Sequence, residues 1–366
     1  MFEKNRSAMK KEMVSACAIS SLPKEEVTLR THQSASQPTT IQQDVTCYYF
    51  ISPTTNAHEN MAYDQLLLET LAPGDVCLFL YVNAPSVIIG QNQNPYRECD
   101  LSAMAEDHVR LARRISGGGA VYHDFGNLNY SFHTPVQTYD PVAQTKIICR
   151  TLSSFGISAV PSGRNDLTVD GRKCSGSAFC RRGNRQLHHG TLLVTCDTSR
   201  MARYLHVSPQ KLQAKGVASV HSRVCNLSSF VKDLTVEGLK DALIKSFEKE
   251  NGNIAPYVFM PSQLNLHRKL CVYHASPAHI YGETPAFTDV WETRLEGMGM
   301  ISLHISVSHG VITDCRIYTD AMDVSLPQQL QPLFVGQPFS PVPLCTTLYD
   351  AGWGTLAEFV KTCFPL

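Results

Sequence analysis

One stretch, residues 113–124, constrains the fold and the chemistry of this chain more than any other. It reads Arg-Arg-Ile-Ser-Gly-Gly-Gly-Ala-Val-Tyr-His-Asp and completes an alternating segment, 109–116, that predicts a β-strand. Because glycine has no Cβ, three glycines in a row let the backbone approach a ligand closely and adopt positive φ. Consecutive N–H groups in such a loop can form an anion site, and an adjacent arginine adds a bidentate donor. An anion-binding loop is therefore expected, with a plain surface turn as the alternative.

A second stretch carries a lysine in a defined position. Residues 167–175 predict a β-hairpin around Asp170-Gly171, a typical type I′ turn pair, which puts Lys173 on the return strand. A lysine that contacts two anions at once lowers the cost of bringing them together, as attack of a carboxylate on a nucleoside triphosphate requires. An ordinary exposed hairpin lysine remains open as the alternative at this point.

Two further stretches are weaker signals. His188 and His189 are adjacent on a predicted strand and point to opposite faces, so they are not expected to share a metal ion. One of them can line a pocket while the other packs away from it. Residues 214–224 form a basic, glycine-containing loop around His221, for which a binding role and a solvated linker are equally good interpretations.

Composition excludes several classes of protein. The 32 basic and 32 acidic residues balance, so we expect no nucleic-acid partner that binds by bulk charge. The longest apolar run, residues 76–82, is far shorter than the roughly 20 residues that span a bilayer, so we expect no membrane association. The 13 cysteines are odd in number and include no Cys-x-x-Cys, which favours reduced thiols in the cytoplasm. Acidic residues in the leader make a mitochondrial transit peptide less favoured.

The chain divides into a leader and two predicted domains. Residues 1–45 are rich in Ser, Thr, Gln and charge and are expected to be a mostly disordered tail. A catalytic domain is predicted over residues 46–255 and a smaller C-terminal domain over residues 263–366, with the boundary in the Gly-, Asn- and Pro-containing segment 251–262. Helices are predicted over residues 60–71, 140–155 and 237–250, and strands over residues 48–51, 76–82, 86–89, 191–195, 301–307 and 311–318.

In this order, these stretches closely resemble the bacterial two-domain lipoate-protein ligases, over roughly 320 residues from Cys47 to the C-terminus. The most specific parts are Arg-Arg-x-Ser-Gly-Gly-Gly-Ala-Val-Tyr-His-Asp-x-Gly-Asn at 113–127, Asn-Asp-Leu at 165–167, and Lys-x-Ser-Gly-Ser-Ala at 173–178. The resemblance extends to His-His-Gly-Thr-Leu-Leu at 188–193, to Ile-Gly-Gln-Asn-Gln-Asn-Pro at 89–95, and in the second domain to residues 281–287 and 318–320.

The resemblance implies an α+β fold, with a mixed-sheet catalytic domain like that of biotin and lipoate ligases and a small C-terminal α+β accessory domain. It implies salvage of lipoate in two steps: lipoate and ATP, with Mg²⁺, give lipoyl-AMP, and the lipoyl group then passes to a lysine of a carrier. The implied carriers are the lipoyl domains of 2-oxoacid dehydrogenase complexes and the glycine-cleavage H protein.

Site residues follow from the resemblance position by position. Lys173 is the implied catalytic residue and contacts both the lipoate carboxyl group and the α-phosphate. The implied ATP site consists of Lys173, Arg114, Gly119, Ala120, Val121 and Tyr122. The implied lipoate site consists of Lys173, Gly117, Gly118, His123, Asn165, Asp166, Ser177, Ala178 and His189. Val87, Ile89 and Tyr122 are expected to form apolar walls for the dithiolane tail, and no residue is assigned to the metal.

Two departures from the family pattern keep alternatives open. His221 stands where the family commonly has arginine, so a transferase that uses only preformed lipoyl-AMP is the first alternative. Ser-Pro-Ala-His at 276–279 replaces tryptophans that the family usually has before Gly282.

A cysteine-dependent octanoyltransferase is a second alternative, with Cys174, Cys180 or Cys196 as thiols near the expected pocket. A non-catalytic protein that binds acylated carrier domains is a third, although such a protein would not need Arg114 and Lys173.

Overall fold

The computed structural model describes residues 46–163, 165–206, 224–296, 298–321 and 323–364. The predicted disordered tail and the basic loop around His221 lie outside the described residues. None of the described helices is long and apolar enough to cross a membrane.

Runs of one to four strands are separated by helices along the chain. The strands are β1 (Cys47–Ile51), β2 (Val76–Tyr81), β3 (Ser86–Ile89), β4 (Arg110–Arg113), β5 (Val121–His123), β6 (Asn127–Pro135), β7 (Val160–Ser162), β8 (Asp166–Val169), β9 (Arg172–Arg182), β10 (Arg185–Leu193), β11 (Ile254–Pro256), β12 (Phe287–Leu295), β13 (Gly299–Ser308) and β14 (Val311–Thr319). The α-helices are α1 (Ala57–Thr70), α2 (Pro95–Glu98), α3 (Leu101–Glu106), α4 (Pro141–Ser153), α5 (Thr198–Tyr204), α6 (Val236–Asn251), α7 (Pro261–His274), α8 (Pro277–Ile280), α9 (Leu326–Phe334), α10 (Pro341–Asp350) and α11 (Gly354–Cys363).

Three sheets organise these strands. An eight-stranded sheet has the order β11-β1-β2-β6-β10-β9-β8-β7, and a three-stranded sheet with the order β4-β3-β5 carries the glycine-rich stretch. Both are mixed, because β1 is parallel to β2 and β3 is parallel to β4, whereas β2 with β6 and β3 with β5 are antiparallel. The third sheet, β12-β13-β14, is antiparallel. The predicted α+β class with a mixed catalytic sheet and a small C-terminal α+β unit is confirmed.

Helix α1 is buried along most of its length and brings polar side chains into the interior. Asn56 caps it by accepting a hydrogen bond from the amide of His58, so the helix begins three residues earlier than its apolar pattern predicts. Residues 60–68 are all buried, because the helix packs between β2 and α7. Asn60 and Asp64, one helical turn apart, are therefore buried and require internal partners.

The main core lies on one face of the eight-stranded sheet. Leu78 on β2 and Phe132 on β6 pack there against Leu152 of α4 and Phe247 of α6. Helices α4 and α6 correspond to the helices predicted over residues 140–155 and 237–250, and their apolar stripes face this core as the 3.6-residue pattern indicates. Strand β10 begins at Arg185, six residues before the predicted strand 191–195, since its pairing with β6 extends back to that residue.

The segment predicted as a domain boundary contacts the first sheet and helix α1. Strand β11 pairs with β1, and the Gln263 side chain of α7 donates to the hydroxyl of Thr70 at 3.0 Å. The His267 ring stacks on Tyr63 with ring centroids 3.6 Å apart. The domain limits remain a prediction, but these contacts favour a boundary beyond α7 rather than within residues 251–262.

The C-terminal unit has its own core. Ile301, Leu303 and Ile305 of β13 alternate inward and pack against Leu330 of α9 and Leu344 of α10. The strands predicted over residues 301–307 and 311–318 are joined by a tight turn, in which His309 and Gly310 have φ values of 52° and 72°. The smaller α+β unit expected from the alternation in the sequence is confirmed.

Candidate active site

A cavity of about 240 Å³ lies beside the glycine-rich stretch. Residues from β5, β8, β9, β10 and the loop after β4 converge on it, although they are distant in the sequence. Most of the predicted site residues line it: Arg114, Gly118, Gly119, Ala120, Val121, His123, Asn165, Asp166, Lys173, Ser177, Ala178 and His189. The three stretches singled out from sequence and described in the structure therefore meet at one place.

Arg114 organises the glycine loop through its carbonyl oxygens. Its Nη2 donates to the carbonyls of Gly117 at 2.7 Å and Gly119 at 2.8 Å, while Nη1 donates to the carbonyl of Ile88 at 3.1 Å. Burial lowers the pKa of Arg114 to about 10, which leaves it charged at neutral pH. Most of its donors face protein oxygens, so in this structure the arginine shapes the loop, and its contact with phosphate remains a prediction.

Two glycines allow this arrangement. Gly118 has a φ of 97°, and a Cβ there would lie 2.8 Å from Nη2 of Arg114. Gly90, at the end of β3, packs so closely that a Cβ would lie 2.2 Å from the carbonyl oxygen of Gly118. The sequence predicts that the backbone of this loop approaches a ligand closely. In the structure, the loop packs closely against Gly90, a residue of the protein itself.

Lys173 lies on the return strand of the predicted hairpin. Asp170 and Gly171 both have positive φ, 50° and 74°, as a type I′ turn requires. The Nζ of Lys173 lies 2.8 Å from Oδ1 of Asp166 on the opposing strand, and both side chains are more than a third exposed. The hairpin thus places a cation, paired with a carboxylate, at the accessible side of the cavity.

A buried polar network lies behind the loop. The carboxylate of Asp64 is 3.1 Å from Nδ1 of His189, and Nε2 of His189 is 2.6 Å from the Ser116 hydroxyl. Ser116 in turn accepts from Nε of Arg114 at 3.0 Å. The order Asp–His–Ser is that of hydrolase triads, but Ser116 is only 1% exposed and bonded to the arginine. The network therefore holds Arg114 in place rather than presenting a nucleophile.

Asp64 has a second histidine partner. Its Oδ1 lies 3.2 Å from Nε2 of His133. Burial alone would raise the pKa of Asp64, but the hydrogen bonds from His133 and His189 lower it well below its ordinary value. A buried anion, fixed by two imidazoles, therefore lies one layer behind the cavity wall.

The two adjacent histidines separate as predicted. His189 lines the cavity. His188 is bonded through Nδ1 to Gln144 at 2.8 Å and stacks on Phe179 with centroids 4.5 Å apart. Burial, followed by the charge of His189, lowers the pKa of His188 to about 3.

The predicted apolar walls are wrong by one residue. Val87, Ile89 and Tyr122 lie in a separate hydrophobic cluster with Tyr204. Because neighbouring residues of a strand face opposite sides, Ile88 and Val121 line the cavity instead. Any contact of Tyr122 or Gly117 with a ligand remains a prediction.

Sequence reasoning missed several lining residues. These are Met61 of α1, Tyr81 of β2, Asn129 of β6, and Gly176, Gly190 and Thr191 of the β9–β10 hairpin. The one available signal was in α1, where Asn60 and Asp64 interrupt an apolar pattern at helical spacing. Two polar residues on one face of a buried helix point to an internal polar site.

No cysteine is among the described residues that line the cavity. Cys174 is buried, which raises the pKa of its thiol to about 12, and burial also raises the pKa of Cys180 and Cys196. A thiolate nucleophile is therefore disfavoured at each of the three positions considered from the sequence.

Comparison with known families gives two matches. Residues 56–248 match the family described as lipoyl protein ligase A/B catalytic domain. Residues 284–354 match the family described as bacterial lipoate protein ligase C-terminus. Together the matches span the cavity and the C-terminal unit.

Two curated relatives named lipoate-protein ligase A are similar over most of their length. The protein of Psychrobacter cryohalolentis is 41% identical over 288 residues, which cover 75% of this chain and 84% of the relative. The protein of Bdellovibrio bacteriovorus is 38% identical over 285 residues, covering 75% and 83%.

Solved structures show the same similarity. P. falciparum LipL1 in complex with lipoate is 29% identical with a TM-score of 0.57, covering 86% of this chain and 99% of that one. The bipartite lipoate protein ligase of Thermoplasma acidophilum, from a study that includes its E2 lipoyl domain, is 29% identical with a TM-score of 0.55, covering 62% and 91%. A lipoate-protein ligase A bound with ATP is 27% identical with a TM-score of 0.54, covering 62% and 94%.

Proposed function

This chain belongs to the lipoate-protein ligase family, and on that premise we propose that it uses ATP to attach lipoate to a lysine of a carrier protein. The observation that carries the proposal is the position of Lys173. Its ammonium group lies at the accessible side of a cavity whose other wall is a glycine loop held by Arg114. The relatives are named for this activity, and solved neighbours bind lipoate and ATP.

In the first step, an oxygen of the lipoate carboxylate attacks the α-phosphorus of ATP, and the bond to the β-phosphate breaks to release pyrophosphate. The two reactants are both anionic, so a cation between them lowers the barrier. Lys173 is the residue that we propose for this contact, with Asp166 orienting its ammonium group at 2.8 Å. Loss of one fixed donor to developing charge typically costs about 2.7–4 kcal/mol in the barrier.

In the second step, the ε-amine of a carrier lysine attacks the acyl carbon of lipoyl-AMP. An amide forms, AMP leaves with the electron pair of the broken carbon–oxygen bond, and the proton of the amine passes to solvent. Holding the mixed anhydride and the amine together can supply up to roughly 7–11 kcal/mol of the barrier. The apolar side chains of Met61, Ile88 and Val121 suit the aliphatic part of the acyl chain.

We propose Mg²⁺ as the counter-ion of ATP. Asp166 is the one carboxylate among the described residues that line the cavity. Mg²⁺ commonly binds through one or two carboxylates together with substrate phosphates, so a single carboxylate is compatible with it. When bound, the ion neutralises phosphate charge, and Asp166 is the residue that would hold it.

We propose two kinds of carrier, the lipoyl domains of 2-oxoacid dehydrogenase complexes and the glycine-cleavage H protein. An E2 lipoyl domain is the carrier studied with the Thermoplasma acidophilum ligase. We also propose a cytoplasmic location, because the twelve cysteines of the described part are all unpaired, as in a reducing compartment. Incubation with each purified apo-carrier and intact mass measurement tests the first proposal, and cell fractionation tests the second.

Pyrophosphate release from ATP, measured with lipoate and without a carrier, tests the activation step. We expect lipoate-dependent release that falls by about 10²–10³-fold in Lys173→Ala. Lys245→Ala, which removes an exposed lysine of α6, is the matched control and should retain wild-type activity. Equal activity in both variants would contradict the role of Lys173.

The same assay separates the alternatives. No release, combined with carrier modification from supplied lipoyl-AMP, would identify a transferase that cannot make the adenylate. ATP-independent transfer from an octanoyl carrier protein, abolished by replacing a cysteine, would identify a thiol mechanism. The raised pKa values of the Cys174, Cys180 and Cys196 thiols argue against this thiol mechanism.

A further inference from the structure

Two histidines of the cavity, His123 and His189, form a hydrogen bond through Nδ1. The partner of His189 is a carboxylate, whereas the partner of His123 is a side-chain amide. Nδ1 of His189 faces the carboxylate of Asp64 at 3.1 Å, so this nitrogen carries the proton. Nε2 of His189 lies 2.6 Å from the Ser116 hydroxyl. Both nitrogens of His189 are thus engaged within the protein.

The partner of His123 is Asn83, whose orientation is fixed by a neighbour. The terminal amide nitrogen of Asn60 lies 3.2 Å from the carbonyl of Thr54 and 3.3 Å from that of Val82. Carbonyl oxygens only accept, so this atom of Asn60 must be the NH₂ group. It lies 2.8 Å from Asn83, which must therefore present its oxygen to Asn60.

The NH₂ group of Asn83 consequently faces His123. It lies 3.0 Å from Nδ1 of the imidazole, which must accept the hydrogen bond. A neutral imidazole that accepts at Nδ1 carries its proton on Nε2. Burial and then the charge of Arg114 lower the pKa of His123 to about 3, so the ring is neutral at physiological pH.

The Nε2–H group of His123 has no acceptor among the described residues. His123 is 3% exposed, and its Nε2 atom is buried. The side chain lines the cavity beside Arg114 and His189. A buried donor without a partner is costly, and such groups in native proteins usually have a ligand or water as the missing partner.

We propose that Asn83, oriented by Asn60, is a positioning residue that fixes His123 as an Nε2–H donor to an oxygen of the acyl substrate. The inference rests on the proposed function, because that function supplies the carboxyl or acyl oxygen. A thioether or disulfide sulfur is a weak acceptor, whereas a carboxyl oxygen is a strong one and is also favoured by the charge of Arg114. Sequence reasoning did not single out either asparagine.

The tautomer can be measured in the free protein by ¹⁵N NMR of labelled histidine. We expect His123 to show a protonated Nε2 and an unprotonated Nδ1 near pH 7, whereas His189, which faces the Asp64 carboxylate, should show a protonated Nδ1. A protonated Nδ1 at His123 would overturn the inference without touching the proposed function. In Asn83→Asp the new carboxylate still accepts from Asn60 but can no longer donate, so Nδ1 of His123 should become protonated.

Addition of lipoate tests the ligand contact. The Nε2–H resonance of His123 should shift when lipoate binds, and an unchanged resonance in the lipoate complex would overturn the contact. In Asn83→Leu we expect KM for lipoate to rise about tenfold, as for the loss of one hydrogen bond, with KM for ATP unchanged. Asn265→Leu, at an exposed position of α7, is the control.

The possible failures are distinguishable. If both KM values rise equally in Asn83→Leu, the asparagine is merely structural and the inference is wrong. If lipoate does not bind the wild-type chain at all, the proposed function and the ligand contact fail together. The tautomer of the free protein is then still decided by its own measurement.

Discussion

Arg113 is the last residue of β4 and Arg114 directly follows it, yet the two arginines organise different parts of the molecule. Arg114 points toward the cavity and holds the glycine loop through the carbonyls of Gly117 and Gly119. Arg113 is completely buried on the other face of the sheet and donates to the carbonyls of Gln91 and Gln93 at 2.8 Å. It also donates to the carbonyl of Ile280 and to the Thr284 hydroxyl, just before β12.

The difference teaches how one short motif can serve two purposes. Because neighbouring residues of an extended segment face opposite sides, one guanidinium group reaches the cavity and the other reaches the junction with the C-terminal unit. Both are surrounded mainly by carbonyl oxygens rather than carboxylates. A positive charge therefore holds backbone segments in place on each side of the sheet, and the two sides meet at Gly90, whose carbonyl accepts from Arg113.

Arg113→Met should disrupt the junction with the C-terminal unit and should have the largest effect on stability. It leaves several buried carbonyls without a donor, each at a cost of about 1–3 kcal/mol, so we expect a loss of roughly 3–5 kcal/mol in the free energy of unfolding. Urea denaturation measures it. Arg110→Met, at an exposed position of the same strand, is the control, and equal stability of the two variants would show that Arg113 is dispensable for folding.

Arg114→Met should disrupt the glycine loop at the cavity. Without its donors the glycine loop loses its fixed shape, and misplacement by about 1 Å can cost roughly 100-fold in rate. We expect lipoate-dependent pyrophosphate release to fall by about that factor. If Arg113→Met lowered this rate as much under conditions where it remains folded, the proposed division between the two arginines would be wrong.

Gly90→Ala tests the place where the two sides meet. The added Cβ would lie 2.2 Å from the carbonyl oxygen of Gly118 and 3.3 Å from Nη2 of Arg114. Such overpacking typically costs about 1–3 kcal/mol, and we expect both stability and pyrophosphate release to decrease. Gly183→Ala, in an open turn between β9 and β10 where a Cβ meets nothing, controls for general glycine effects, although its positive φ adds some strain of its own.

The dependence of stability on pH also tests the comparison between Arg113 and Arg114, because buried neutral histidines lie beside each arginine. On the junction side, burial and then the charge of His279 lower the pKa of His274 to about 3. The unfolded chain binds this proton near pH 6.5, whereas the folded protein binds it only near pH 3. Protonation of His274 therefore leaves the free energy of unfolding unaffected above pH 6.5. As the pH falls from 6.5 toward 3, protonation favours the unfolded chain and the free energy of unfolding decreases.

In His274→Gln the decline in the free energy of unfolding between pH 6 and pH 4 should be shallower by up to about 1.4 kcal/mol per pH unit. Urea denaturation at a series of pH values measures this slope. His304→Gln, an exposed histidine of β13, should leave it unchanged. An identical slope in the wild type and His274→Gln would show that His274 is charged in the folded protein.

Much of the fold and of the site could be predicted because the signals are local. The type I′ hairpin, the strand before the glycines and the two amphipathic helices each follow from residues within one element. The apolar walls could not be assigned correctly, because the inward face of a four-residue strand such as β3 depends on its neighbours. The network of Asp64, His189 and Ser116 joins three distant elements, so no local pattern reveals it.

The link between Asp64 and His189 also has a consequence for the order of folding. The two residues are 125 positions apart, and chains are synthesised at roughly 5–20 residues per second. A nascent chain that has completed α1 therefore waits several seconds before the strand that carries His189 leaves the ribosome. Until then Asp64 has at most one of its two histidine partners, His133, and burial of a carboxylate with an incomplete set of partners is unfavourable. The cavity and the polar network behind it are consequently expected to assemble late, after the sheet has closed over the helix.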